Sequence, residues 1–236
     1  MNINRNLGDI LIGMAVGEAM GIPYDGEEKG EFVCGGMTAS KGDLYSAGKS
    51  GKITQDAITI TNTLADANDF LKSYEYFELF NSLDISCVAS LAALGDIRYV
   101  TNEMAWIELS EGILNFFGEY TDAFLYLSII GLIMQDNNYE EIETLILNTA
   151  NCSYLADLFE IDIIVDTHKD AFRAALWCFI HTDNFNDCVL KAVNLGGRTS
   201  ETAAIAGAIA GGYYGVEYIP SNWVAVLKSL DDILDI

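Results

Sequence analysis

LGGRTSETAAIAGAIAGGYYG, residues Leu195 to Gly215, is the stretch whose reading decides the fold. Ala203, Ala206, Gly207, Ala210 and Gly211 follow the i, i+3, i+4, i+7, i+8 spacing of one helical face. Each is Ala or Gly, so a neighbouring helix can come very close on that side. A glycine inside a helix costs about 1 kcal/mol against alanine. Two in one stripe therefore point to close approach rather than to helix propensity. The stretch predicts a central, close-packed helix whose polar start, GGRTSET, faces a cleft. Helix starts attract anions and phosphates, and here the chain places a cation, Arg198.

That arginine stands out because the chain is acidic. Its 236 residues carry 12 Lys+Arg against 35 Asp+Glu, a formal charge of −23, which excludes binding to nucleic acid backbones or anionic membrane surfaces as expected roles. A hydrophobic share of 51% is enough for a proper core, and the length suits a single domain over residues 1–236. The most apolar run, FLYLSIIGLIM (124–134), falls short of the roughly 18–20 residues that span a bilayer and reads as a buried helix. Cys34, Cys87, Cys152, Cys178 and Cys188 are scattered, with no CxxC pair and no secretory leader. Reduced thiols in a cytoplasm are the expectation.

Proline occurs only at Pro23 and Pro220, so long helices can run unbroken. Helical spacing recurs at Leu7, Ile10, Leu11 and Met14, at Ile58, Thr61, Leu64 and Ala65, and at Ala171, Ala174, Ala175, Cys178 and Phe179. Alternation of period two is missing; Phe32–Cys34 and Val100–Thr101 are the only short extended candidates. Glycine-rich loops fall at 26–36 and 46–52. The fold class is all-α, a compact multi-helix assembly.

Three segments carry polar residues that the apolar pattern does not need: GMAVGEAMGIPYDG (13–26), GKITQDAIT (51–59) and GGRTSET (196–202). With IVDTHKDAFRAALWCFIHTDNFNDCVLKAVNLGG and the helix that follows it, they resemble the ADP-ribosylglycohydrolases. The likeness covers about half of the chain and leaves out residues 75–150. It implies the family's orthogonal helical bundle and hydrolysis of a glycosidic bond to ADP-ribose. It also implies two Mg²⁺ or Mn²⁺ ions on oxygen ligands, with ADP-ribose or an ADP-ribosylated protein as partner.

Carried over residue by residue, the resemblance puts the acidic turn ligand at Asp25. It puts a Thr-Asp-Asp-Thr motif on Thr54, Gln55, Asp56 and Ala57. It puts an Asp-x-Asp-Thr motif, after Gly196 and Gly197, on Arg198, Thr199, Ser200 and Glu201. Only Asp56 keeps one of the motifs' aspartates. No metal is therefore expected, with Asp25, Asp56 and Glu201 as residual candidates should Mg²⁺ or Mn²⁺ remain. Arg198 is expected to stand in for a metal by pairing with Asp56 or Glu201.

Each residue also has a plainer reading: a helix cap for Asp56, a turn for Asp25 and a first-turn acid for Glu201. His168 and His181 read as surface or core residues, Asp166-Thr167 as a cap, and Trp177, Tyr213 and Tyr214 as core. The leading expectation is a family scaffold with a dismantled dinuclear site that still binds ADP-ribose or a related nucleotide. Two alternatives stand beside it. One is an active hydrolase with a rebuilt or single-metal site, in which Asp25 or Glu201 serves as acid or base. The other is an interaction or structural protein that uses only the scaffold.

Overall fold

The computed structural model describes residues 5–38, 47–66, 87–95, 120–135, 139–149 and 164–236. Within them the chain is helical and contains no strand. Helices α1 (Arg5–Gly21), α2 (Lys52–Asp66), α3 (Tyr120–Met134), α4 (Tyr139–Thr149), α5 (His168–Ile180), α6 (Phe185–Val193) and α7 (Thr199–Tyr214) carry the body. Short helices α8 (Ser221–Val224) and α9 (Leu230–Leu234) close it, and a buried 3₁₀ segment, Val88–Gly95, packs inside. Phe32–Cys34 forms loop, not strand; Val100–Thr101 and Cys152 lie outside the described residues.

Helix α7 is central. Its residues from Glu201 through Gly211 are all buried, and so is Thr199 at its start. Its small-residue face meets α1, which has a stripe of its own at Gly13, Gly17 and Gly21. A Cβ on Gly13 would stand 2.2 Å from the Gly207 carbonyl, and one on Gly21 would stand 2.4 Å from Ser200 Cα. Gly211 in turn faces the Asp9 carbonyl. The pairing runs in opposite order along the two helices, so they are antiparallel. This is the fact that builds the site, because the end of α1 and the turn after it are delivered to the start of α7.

Local chemistry sets the other ends. Thr167 caps α5 in a capping box, accepting from Asp170 N at 3.2 Å while Asp170 Oδ2 accepts from Thr167 N at 2.9 Å. Asn184 caps α6 through Asp187 N at 2.9 Å. At the other end of α6, Asn194 donates to the Leu190 and Cys34 carbonyls and accepts from Cys34 N, which pins the 31–36 loop against the bundle. Tyr139, Phe179, Tyr213 and Tyr214 form one aromatic cluster. Half-buried Trp177 stacks on His181 with the Lys191 ammonium 4.6 Å from its ring centre.

Candidate functional site

A cleft of about 840 Å³ opens where α7 begins, a size that suits a small-molecule ligand. Its walls come from the turn after α1 (Asp25 to Lys29), the approach to α5 (Ile164 to Asp166) and the start of α7. Two glycines shape its floor. Gly196 and Gly197 have φ of 79° and 67°, a region that costs other residues strain. Gly197 N donates to the Glu27 carbonyl at 2.8 Å, Gly26 N donates to the Gly197 carbonyl at 2.9 Å, and a Cβ on Gly197 would strike the Val165 carbonyl. The double glycine is needed both for its backbone conformation and for this three-way approach.

Arg198, the N-cap residue of α7, turns its side chain back over its own helix. Its Nε donates to Glu201 at 2.6 Å, an i,i+3 ion pair with a well-buried carboxylate. His168, the first residue of α5, completes the group. Its Nδ1 lies 2.8 and 2.9 Å from the two Glu201 oxygens, and Arg198 Nη2 lies 3.1 and 3.3 Å from its ring nitrogens. With the Nδ1 proton given to Glu201, the guanidinium, nearly equidistant from both ring nitrogens, lies against the imidazole ring.

Asp25 also serves α7. Its Oδ1 accepts from Ser200 N at 2.9 Å and from Thr199 Oγ1 at 3.0 Å, so this carboxylate caps the helix from a distant turn. Thr199 Oγ1 reaches the Gly21 carbonyl as well, at 2.8 Å. Of the residues predicted for the site, Asp25, Gly197, Arg198, Ser200 and Glu201 line the cleft. Gly196 and Thr199 are buried just beneath it.

The α2 segment is arranged differently. Asp56 is buried but is not a cap: it lies in the second turn of α2 and accepts from Lys52 Nζ at 2.6 Å. Arg198 thus pairs with Glu201, and Asp56 has its own lysine. Gln55 is exposed and lines a separate hollow with Asn62, Asp232 and Asp235. The cap of α2 comes from Glu18, which lies inside the 13–26 segment but is not among the residues that the resemblance carries into the site. Its buried carboxylate accepts from Ile53 N at 2.9 Å, Thr54 N at 3.0 Å and Thr54 Oγ1 at 2.6 Å. Burial pushes the Glu18 carboxyl above its ordinary range, against the opposing pull of those donors.

His168, expected to be a plain surface or core residue, is the other member that the sequence does not announce. Its spacing in DTHKDAF names no partner, since Glu201 is 33 positions away and only packing unites them. The cap read at Asp166-Thr167 is Thr167 alone, while Asp166 lines the cleft. Burial pushes the thiols of Cys87, Cys178 and Cys188 up, Cys188 to about 12, so none of these is poised as a nucleophile. Among the described residues, no three His, Cys, Asp or Glu side chains converge as a metal site. No helix there is long and apolar enough to cross a membrane.

The ADP-ribosylglycohydrolase family profile matches residues 164–236, the segment that carries His168, the double glycine and α7. The chain is 42% identical over 64 residues to the ADP-ribosylarginine hydrolase Tri1 of Serratia proteamaculans. It is 41% identical over 58 residues to the ADP-ribosyl-[dinitrogen reductase] glycohydrolase of Rhodospirillum rubrum. These stretches are 27% and 25% of this chain but only 18% and 20% of the relatives. Beyond them the likeness is one of shape. A solved structure titled ADP-ribosylglycohydrolase-related protein complex superposes with a TM-score of 0.72 over 98% of this chain and 94% of its own, at 20% identity.

Residues 164–236 carry the ADP-ribosylglycohydrolase family match, and the chain as a whole shares the fold of an ADP-ribosylglycohydrolase-related protein.

The match of the closing segment and the all-α fold agree with what the resemblance implied. The family match spans α5, α6 and α7, including Gly197 and the α7 start that line the cleft.

Proposed function

We propose that this chain is a family member that holds an ADP-ribosyl group in the cleft at the start of α7 without the family's two-metal hydrolysis. The observation that carries the proposal is the company kept by the acidic residues. Asp56 is neutralised by Lys52, Glu201 is held by Arg198 and His168, and Asp25 is spent on capping α7. Two hard divalent ions require a converging set of oxygen donors. Here a dication would have to displace a cation from each of two carboxylates and sit beside Arg198. The residues present do not fit that pair of ions.

The supporting features for ligand binding are the size of the cleft and the way it joins the mouth of α7 to the 25–29 turn. The free, buried Cys34, Cys87, Cys178 and Cys188 fit a reducing compartment such as the cytoplasm.

Thermal unfolding with added ADP-ribose tests the binding reading. A ligand present at 100 times its dissociation constant adds about 2.7 kcal/mol, which raises Tm by about 5–11 °C at 2–4 °C per kcal/mol for a domain of this size. An unchanged Tm at saturating ADP-ribose would leave the scaffold-only alternative. Release of ADP-ribose from a modified arginine, abolished by Glu201→Gln, would replace this reading with a rebuilt hydrolase.

A further inference from the structure

We infer that Arg198 is a built-in counter-cation, positioned by His168, that makes occupancy of the cleft independent of divalent ions. The inference deepens the reading of the cleft as a ligand site, but its metal arm stands without that reading. It starts from three contacts that the sequence motifs do not contain together. Arg198 donates through Nε to Glu201, and Glu201 shares its two oxygens with His168 Nδ1. The His168 ring in turn faces Arg198 Nη2.

The guanidinium is thus held on two of its nitrogens, one by charge and one by a flat ring. Among the described residues no hydrogen bond engages the third, Nη1, while Arg198 forms part of the cleft wall. A guanidinium fixed in this way keeps an edge for an anionic oxygen, and it does so with little further loss of side-chain freedom. His168 acts only through Arg198 and Glu201: it is a positioning residue. Its place is secured from outside the cleft by the Thr167–Asp170 capping box, which sets where α5 begins. The carboxylate it shares lies in the first turn of α7, so the two helix starts are tied together at this one group.

Charge decides the metal arm. A divalent ion at Glu201 would stand within a few ångströms of a fixed positive charge, and at that range like charges repel strongly even at a protein-like dielectric. Taking the arginine away leaves Glu201 and Asp25 near the mouth of α7 with no guanidinium between them and an incoming cation.

The experiment is a Mn²⁺ titration followed by electron paramagnetic resonance, on the parent chain, Arg198→Ser and Arg198→Lys, with ADP-ribose affinity measured in parallel. The parent and Arg198→Lys should bind Mn²⁺ only weakly and non-specifically. Arg198→Ser should bind it about tenfold more tightly or better. Tight binding of two Mn²⁺ by the parent, or no gain in Arg198→Ser that is folded by circular dichroism, would overturn the inference.

In the ligand arm, ADP-ribose affinity in the parent should be the same in EDTA as in Mg²⁺. It should fall by about tenfold in His168→Ala and recover in His168→Gln, which restores a donor and an acceptor. Affinity that needs Mg²⁺, or a His168→Ala chain that binds as the parent does, also overturns it. If the parent shows no ADP-ribose binding at all, the ligand reading of the cleft fails, and the Mn²⁺ result alone decides whether Arg198 is the counter-cation.

Discussion

At the scale of single residues, Glu18 shows how a buried carboxylate can organise a site from below. It lies in the last turns of α1, only 2% exposed, yet its three donors all belong to the first turn of α2. Those amides would otherwise be orphans of the helix start. Glu18→Ala would leave them buried and unmet, and a loss of about 3 kcal/mol is expected in chemical denaturation. Glu18→Gln should lose less, because one of its two terminal atoms still accepts. Its pH dependence follows from the raised carboxyl. A group that holds its proton more tightly when folded contributes fully below its unfolded value of 4.5, and that contribution fades as pH rises through the higher folded value. The stability lead of the parent over Glu18→Gln should therefore be widest near the acid end and narrow towards neutrality. A lead that widens with pH would show that the amide donors, not burial, govern this group.

The residue scale also explains what the sequence hides. Arg198 and Glu201 could be placed at the mouth of α7 because glycines and a small-residue helix mark that mouth, and Asp25 could be brought to the site only through the family resemblance. Glu18 and His168 could not. Nothing in GEAMG says that a helical glutamate will reach sideways to cap another helix, and nothing in DTHKD names a glutamate 33 positions later. Both depend on how helices are set against each other, which is a property of packing and not of local pattern. Asp56 departs from expectation for the opposite reason, a local one: Lys52 sits one turn before it and takes it first.

At the scale of elements, the α1–α7 contact governs both fold and site. The stripe on α7 was legible because every position is Ala or Gly at helical spacing. Its partner was not, since Gly13, Gly17 and Gly21 lie inside a stretch equally well read as the approach to a turn. The structure puts a Cβ on Gly17 within backbone contact of the Ala203 carbonyl, at 1.9 Å, whereas one on Gly8 meets nothing within 4 Å. Gly17→Ala must push the helices apart and should cost about 3 kcal/mol. Gly8→Ala, in the same helix, should be neutral or gain about 0.5–1 kcal/mol from helix propensity. Equal Tm values for the two variants would mean that the helices are not in backbone contact. Because the same contact carries the Asp25 turn to Ser200, Gly17→Ala should also weaken ADP-ribose binding, while Gly8→Ala should not.

At the scale of the whole molecule, the decisive quantity is the net charge of −23 on a chain this size. Composition alone made that charge visible, but it could not say where the few cations are spent. Two of the 12 Lys and Arg, Lys52 and Arg198, stand against the buried carboxylates Asp56 and Glu201, and Lys29 is the other cation on the cleft wall. The rest of the acidic surface has little to balance it, so folding brings like charges together and self-repulsion opposes the compact state. Monovalent salt screens such exposed charges over a Debye length of about 8 Å at physiological strength, yet it weakens short, partly buried pairs far less. Raising NaCl from low to physiological concentration should therefore raise Tm, since relief of surface repulsion outweighs the small loss at Lys52–Asp56 and Arg198–Glu201. Thermal unfolding across a NaCl series checks this, and a Tm that falls with salt would mean that ion pairs, not repulsion, dominate the electrostatics of the fold. Arg198→Ser should follow the same slope, because one charge in so large a total barely changes the repulsion, while its response to Mn²⁺ should diverge from that of the parent. A global charge and a local cation can thus be read separately in one molecule.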